Sequence, residues 1–160
     1  MNSRINKSKG PGVYIPPPLF YVVFFFASIF IQKKLLTFGL LCHGTLIKVV
    51  GVVFFIVALF FSVKSLRQFF ITKNTLILIK PASSLQTTGI YGITRNPMYL
   101  GLAFVYIGVT CFVGNWWTII LLPFLFIIIQ EYIIKREEKY LEIEFGQAYL
   151  EYKKTVRRWL

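Results

Sequence analysis

Residues 96–130 carry no charged side chain, and the glycine–asparagine pair Gly114-Asn115 is the turn signal within this stretch. A membrane-crossing helix needs about 20 mainly apolar residues. The stretch therefore predicts two spans, at about residues 98–113 and 116–132. Because only two residues separate them, the two spans should form a tight antiparallel helical hairpin, with Trp116 and Trp117 at one membrane interface.

The composition of the whole chain agrees with a membrane protein. Apolar residues make up 56% of the 160 residues, charged residues make up 15%, and the mean hydropathy is +0.67. Soluble domains average roughly 45–50% apolar and 25% charged residues. These values exclude a disordered chain, a coiled coil and an ordinary soluble domain. We expect an all-α integral membrane protein.

Two further spans are predicted upstream, at about residues 19–41 and 47–63. The first follows a polar, proline-rich segment that ends in three prolines at 16–18, which mark a helix start. It lacks a small-residue cleavage site and precedes further spans, so we treat it as retained. Residues 1–18 then form a cytoplasmic tail, and residues 19–160 form a single embedded domain that ends in a cytoplasmic amphipathic helix at 133–158.

The net charge of +12 is explained by membrane topology and not by nucleic-acid binding. With a cytoplasmic N-terminus, fifteen of the eighteen lysines and arginines lie in cytoplasmic segments, and Lys33, Lys34 and Lys48 lie outside. This bias predicts a multi-pass protein with both termini in the cytoplasm. We expect the lipid bilayer as its surroundings, in the cytoplasmic membrane of a bacterium, and no nucleic-acid partner. The oligomeric state stays open.

Titratable groups are few. The chain has no aspartate, and its six glutamates lie between Glu131 and Glu151. Glu137 lies on the apolar side of the C-terminal helix, and a carboxylate there is costly unless a cation meets it. The two cysteines, Cys42 and Cys111, lack metal-ligand spacing, so we expect no metal. The lone His43 lies near the outer end of the second span and is a poor candidate for a base.

The loop from Lys64 to Pro97 ends in a dense motif. It contains two glycines, Arg95, and Pro97 at the first position of the third span, with Asn96 predicted as the N-cap. A well-formed helix start with an interfacial arginine is one interpretation. The helical hairpin, however, returns the Glu137 helix to this same membrane face, which favours a polar site there.

Two sequence blocks carry a family resemblance. They read Gly89-x-Tyr91-x-x-x-Arg95-Asn96-Pro97-x-Tyr99-x-Gly101 and Glu137-Glu138-x-x-Leu141-x-x-x-Phe145-Gly146-x-x-Tyr149-x-x-Tyr152. In this order, on either side of a helical hairpin, they resemble the isoprenylcysteine carboxyl methyltransferase family and the related phospholipid methyltransferases. The resemblance covers roughly the C-terminal half of the chain.

The resemblance implies a multi-pass methyltransferase that binds S-adenosylmethionine on its cytoplasmic side and takes a lipophilic or lipidated acceptor from the bilayer. The cofactor-binding positions that it implies are Gln86, Tyr91, Arg95, Asn96, Pro97, Tyr99 and Glu137, with the segment Ser83 to Gln86 matching less well. Two positions depart from the family pattern: Asn96 replaces a histidine, and Ile133 replaces an arginine associated with substrate. The second departure puts an isoprenylcysteine carboxylate as acceptor in doubt.

The chemistry of these side chains suits such a cofactor. S-adenosylmethionine needs a cation for its carboxylate, a carboxylate for its ammonium or hydroxyls, and aromatic faces for its sulfonium and adenine. Arg95, Glu137, and Tyr91 with Tyr99 could supply them. The sequence assigns neither a catalytic residue nor a substrate-binding residue. Two alternatives stay open, a non-enzymatic four-helix membrane protein or degenerate relative and a sterol-type membrane reductase, and cofactor binding would separate them.

Overall fold

The structure is a computed structural model that describes residues 10–34, 44–72 and 82–160. Within these ranges it is helical and contains no β-strand, as expected. Its α-helices are α1 (Pro17–Lys34), α2 (Thr45–Ile71), α3 (Pro97–Val113), α4 (Trp116–Ile128), α5 (Lys135–Phe145) and α6 (Gln147–Thr155), with a 3₁₀ helix at Gly89–Gly92 and a π-helical segment at Ile129–Ile134. Cys42, His43 and residues 35–41 of the predicted first span lie outside the described residues.

The second predicted span is too short. Residues 47–63 were expected to be helical, but α2 runs from Thr45 to Ile71 and includes the polar segment that we assigned to a loop. The helix continues because residues 64–71 contain neither glycine nor proline, and loss of hydropathy alone does not end a helix. This extension brings Ser65 and Gln68 to the functional site described below.

The hairpin of α3 and α4 agrees with its prediction. Pro97 occupies the first turn of α3, and Gly114 ends that helix with a φ of 67°. This left-handed conformation favours glycine, and it turns the chain sharply. Asn115 then caps α4, because its side chain accepts a hydrogen bond of 2.9 Å from the backbone N–H of Trp117.

Small residues let α2 and α3 pack closely together. A Cβ atom placed on Gly101 would lie 2.7 Å from Ser62 Oγ, and one placed on Gly108 would lie 3.2 Å from the backbone oxygen of Gly51. Membrane helices commonly use small residues in this way, since lipid provides no hydrophobic force between helices. The close packing fixes the start of α3 against the end of α2.

The predicted single helix at residues 133–158 is wrong. A continuous helical run leads from α4 through the π-helical segment into α5, but it ends at Phe145. Gly146 has a φ of 53° and a ψ of −125°, which is a conformation available mainly to glycine. The chain changes direction there, and α6 folds back so that Tyr149 and Tyr152 become buried.

Two of the described helices are long and apolar enough to cross a membrane. They are Thr45–Ile71, in which an 18-residue stretch has a mean hydropathy of 2.8, and the run Trp116–Phe145, in which such a stretch has a mean hydropathy of 2.1; Pro97–Val113 is a shorter apolar helix. Large apolar side chains on the outside of α2 are exposed, among them Val49, Val53, Ile56 and Leu59. Exposed apolar surface of this kind suits contact with lipid. The four-span arrangement and its orientation stay predictions.

Two segments outside the helices pack onto the helical bundle. Val13 is buried in the main core, so residues 10–16 contact the bundle. At the other end, residues Val156–Leu160, here called the closing segment, run beside the start of α3. Trp159 in this segment lies edge-on to Phe126, with 5.4 Å between the ring centroids. Of the two segments, only residues 10–16 contribute to the cavity described below, through Pro11 and Pro16.

Candidate functional site

A cavity of about 440 Å³ lies among the start of α1, the end of α2, the start of α3, and helices α5 and α6. This volume falls within the range of roughly 300–1,000 Å³ that is typical of small-molecule sites. All seven predicted cofactor-binding residues line it: Gln86, Tyr91, Arg95, Asn96, Pro97, Tyr99 and Glu137. Of the segment Ser83 to Gln86, the last three residues line the wall.

The extension of α2 holds the segment that carries Gln86 and Tyr91. The hydroxyls of Ser65 and Tyr91 share a hydrogen bond of 2.8 Å. One turn further along α2, Gln68 Nε2 donates to Gln86 Oε1 at 3.1 Å. Both partners on α2 come from the region that we expected to be a loop. The segment at residues 84–91 is therefore fixed by side chains of a rigid helix.

Three charged residues form a partly buried network beside the cavity, with Arg158 28% exposed. The carboxylate of Glu138 accepts two hydrogen bonds from Arg158, from Nε at 2.9 Å and from Nη2 at 2.7 Å. Its Oε1 atom also lies 3.1 Å from Arg95 Nη2. The side chains of Arg95 and Glu138 are 8% and 9% exposed. Low exposure limits screening by water, so this network is more than a surface ion pair.

Arg95 has unused hydrogen-bonding capacity. Its Nε and Nη1 atoms are buried and have no hydrogen-bond partner among the described residues. A guanidinium carries five N–H donors, and leaving buried donors without acceptors is costly. Arg95 is therefore a candidate to bind an anionic group of a ligand.

Glu137 occupies a different environment from the adjacent Glu138. Its Oε2 atom accepts a hydrogen bond of 2.8 Å from the hydroxyl of Tyr99. No ion pair links Glu137 to a cation anywhere in the described ranges. A carboxylate removed from bulk water normally needs a cationic partner. Glu137 is thus a candidate to bind a cationic group of a ligand.

The cavity wall thus carries two separate residual charges. Counted as formal charges of the described residues, Glu138 with Arg95 and Arg158 sums to one positive charge, and Glu137 contributes one negative charge. The basic residues next to Glu137 in the sequence do not compensate it: Lys135 pairs with Glu131 at the surface, and Arg136 lies over the ring of Tyr132. A ligand with both an anionic and a cationic group would complement this wall.

The predicted N-cap position of Asn96 is confirmed, but its side chain is used differently from a capping side chain. Asn96 occupies the N-cap position of α3, but its side chain makes no capping hydrogen bond. Its Nδ2 atom donates to the backbone oxygen of Arg158 at 2.9 Å, because the closing segment lies within reach of the amide. Nearby, the backbone N–H of Arg95 donates to the oxygen of Arg157 at 3.0 Å. These bonds attach the closing segment to the site.

Tyrosines from α6 complete the wall. Tyr152 Oη donates to the backbone oxygen of Tyr91 at 2.7 Å, and Tyr149 is buried beside it. Burial raises the pKa of Tyr91, Tyr149 and Tyr152 above the usual value for tyrosine. All three phenols are therefore neutral hydrogen-bonding groups at physiological pH.

Sequence reasoning missed several residues of this site. They are Ser65, Gln68, Glu138, Arg158 and Tyr140, a residue of the cavity wall whose hydroxyl accepts a hydrogen bond of 2.8 Å from the backbone N–H of Ala82. Glu138 and Tyr140 lie in the predicted C-terminal helix, and Glu138 falls on the same helical stripe as Ile134, Leu141 and Phe145, so helix geometry could have indicated it. Arg158 carried no local signal, because its partner is twenty residues away and on the other side of the Gly146 turn.

A comparison with protein families identifies the chain. The family model described as phospholipid methyltransferase matches residues 46–148, which is more than half of the chain. The chain belongs to the phospholipid methyltransferase family. The matched region contains all seven predicted site residues, whereas α1 and the closing segment lie outside it. Membership of the phospholipid methyltransferase family and the two long apolar helices together indicate a membrane methyltransferase.

The other comparisons add little about activity. An uncharacterized protein of Haemophilus influenzae is 41% identical over 66 residues, which cover 39% of this chain and 100% of that protein. No solved structure matches the chain. The expected membership of the phospholipid methyltransferase family is thus confirmed, while the link to the isoprenylcysteine carboxyl methyltransferases in particular stays a prediction.

Proposed function

We propose that this protein transfers a methyl group from S-adenosylmethionine to a lipophilic acceptor. The observation that carries the proposal is the pair of residual charges on one cavity wall, a net cation at Arg95 and an anion at Glu137. The amino-acid part of S-adenosylmethionine carries a carboxylate and an ammonium. The two ends of the wall match these two groups in charge.

The side chains in the cavity suit the cofactor. Arg95, with two buried nitrogens that lack a partner in the described ranges, would hold its carboxylate. Glu137, oriented by the hydroxyl of Tyr99, would hold its ammonium or its ribose hydroxyls. The rings of Tyr91 and Tyr99 offer faces for its cationic sulfonium or its adenine. When bound, S-adenosylmethionine supplies an activated methyl group.

The rest of the cavity wall favours an apolar acceptor. Leu66 and Phe69 of α2, Leu102 of α3 and Leu141 of α5 line it, together with the three prolines at the start of α1. Ile133 is fully buried in the core, so the position where the family carries an arginine offers no charge to an acceptor. We infer that the acceptor is bound through apolar contact, as a phospholipid or another lipophilic molecule would be.

The contribution of the protein to catalysis would be mainly positioning. Methyl transfer needs the acceptor atom in line with the methyl group, and holding two reactants in that geometry removes a large entropic cost. The buried network at Glu138 and the contacts of Tyr91 fix the wall before a ligand arrives. A general base is not obligatory if the acceptor is already an anion, whereas a protonated amine would first have to lose the proton that occupies its electron pair.

The first test is binding of radiolabelled S-adenosylmethionine to the detergent-purified protein. We expect saturable binding that Glu137→Gln weakens at least about tenfold, since a charge-assisted contact is lost. The matched control is Glu131→Gln, which makes the same chemical change in an exposed glutamate whose partner is Lys135. The control should bind like the unmodified protein.

The result also separates the alternatives. Absence of binding in well-folded protein would contradict the proposal and favour a non-enzymatic membrane protein, whereas selective binding of a nicotinamide cofactor would favour a reductase. If binding is observed, transfer of the labelled methyl group to phosphatidylethanolamine vesicles is compared with transfer to N-acetyl-S-farnesylcysteine. Labelling of the phospholipid would support the acceptor class that we infer.

A further inference from the structure

We propose that Arg158 is a positioning residue that keeps Arg95 available for the carboxylate of the cofactor. This inference rests on the proposed function and assigns a role to a residue ten positions beyond the region that the family model matches. Arg158 does not line the cavity, whereas its partner Glu138 and the next residue of the network, Arg95, both do. The side chain of Arg158 would therefore act on a ligand through Glu138.

The carboxylate of Glu138 makes more contacts with Arg158 than with Arg95. Arg158 engages both of its oxygens through two hydrogen bonds, which is the fork-like arrangement that suits a guanidinium and a carboxylate. Arg95 has a single contact with the same carboxylate, through Nη2 at 3.1 Å. Arg158 thus makes two of the three contacts that Glu138 accepts from arginine, and two nitrogens of Arg95 have no partner among the described residues.

The position of Arg158 is itself fixed by the same part of the site. Its backbone oxygen accepts hydrogen bonds from Thr94 Oγ1 at 3.1 Å and from Asn96 Nδ2 at 2.9 Å. These two residues flank Arg95 in the sequence. The hydrogen bond to Glu138 also raises the pKa of Arg158, so that its side chain stays cationic. Arg158, which pairs with Glu138, is therefore held next to the segment that carries Arg95.

Removal of the Arg158 guanidinium should weaken the binding of the cofactor carboxylate by Arg95 in two ways. Glu138 would then pair with Arg95 alone. If Arg95 formed two hydrogen bonds to this carboxylate, it would use N–H donors that have no partner among the described residues at present. The net charge of the network would also fall from one positive charge to zero. Both effects weaken the attraction for an anionic group and leave the Glu137 end of the cavity unchanged.

The experiment compares two ligands that differ by one carboxylate: S-adenosylmethionine and its decarboxylated form. Their dissociation constants are measured by titration calorimetry on the detergent-purified full chain. We expect Arg158→Gln to weaken binding of S-adenosylmethionine about tenfold or more and to change binding of the decarboxylated form less than about threefold. Arg158→Lys keeps the charge without the two-pronged geometry and should recover part of the loss.

The matched control is Arg157→Gln, which removes one positive charge from an exposed neighbouring side chain and keeps the backbone oxygen that accepts from Arg95. It should leave both dissociation constants unchanged. Equal weakening of both ligands in Arg158→Gln and Arg158→Lys would show a general structural role and overturn the inference, as would unchanged binding of both. If the unmodified protein binds neither ligand, the proposed function fails first, and this inference fails with it.

Discussion

Replacement of Glu138 by glutamine should cost far more stability than any other single glutamate replacement in this chain. The carboxylate accepts three contacts from two guanidinium groups, two of them shorter than 3.0 Å. Glutamine keeps one acceptor oxygen and places an NH₂ donor where the second oxygen faced an arginine. Arg95, which is 8% exposed, would then remain buried without a counter-charge.

Removal of one member of a buried ion pair costs about 3–5 kcal/mol, because the remaining charge is uncompensated. For a chain of this size, each kcal/mol lowers the midpoint of thermal unfolding by about 2–4 °C. Glu138→Gln should therefore lower the unfolding midpoint by about 6–20 °C. The assay is thermal unfolding in detergent, followed by intrinsic tryptophan fluorescence.

The control for this measurement is Glu131→Gln. Glu131 is 49% exposed and pairs with Lys135 one helical turn away, and water screens such a surface pair so that it contributes little to stability. Its midpoint should fall by no more than about 2 °C. A midpoint for Glu138→Gln within that same interval would refute the argument, because the network would then contribute no more than a surface pair.

The remaining predictions use the same unfolding assay. Tyr99→Phe removes the hydroxyl that donates to the carboxylate of Glu137, so it should cost about 1.5–3 kcal/mol, whereas Tyr14→Phe at an exposed ring should cost nothing measurable. Gly146→Ala forces a side chain into a positive-φ conformation and should cost about 1–3 kcal/mol, more than Gly92→Ala, where an added methyl group has room. Glu137→Gln should leave the midpoint unchanged or raise it, because it removes an uncompensated anion and keeps an acceptor for the tyrosine hydroxyl; a fall as large as that of Glu138→Gln would contradict this.

The hairpin and the positions of the site residues could be predicted because their signals are local. Gly114-Asn115 marks the turn by itself, and Pro97 marks the start of α3. Once two helices form an antiparallel hairpin, the residues before the first and after the second lie on the same side. The proximity of Arg95 to the Glu137 helix follows from that topology without any knowledge of side-chain packing.

The part that could not be predicted depends on contacts between distant segments. The end of the apolar run at residue 63 was taken as the end of a helix, although helix-forming residues continue to Ile71. The partner of Asn96 is a backbone oxygen in the closing segment, and sequence spacing gives no information about it. The helix break was a possible inference from Gly146, but the direction of α6 after the break was not.

Glu137 and Glu138 belong to the same sequence motif but have different partners, so the motif alone does not tell which role each carboxylate has. The two carboxylates are adjacent in sequence and both line the cavity, yet one meets two arginines and the other meets a tyrosine hydroxyl. A chain that needed both only for stability would compensate both, since an unpaired carboxylate away from water is costly. Residues held at a cost to stability are characteristic of functional sites. No cation among the described residues pairs with Glu137, and this feature of the cavity points most directly to a cationic ligand. The paired charges of Glu138 are the framework that holds the site in place for it.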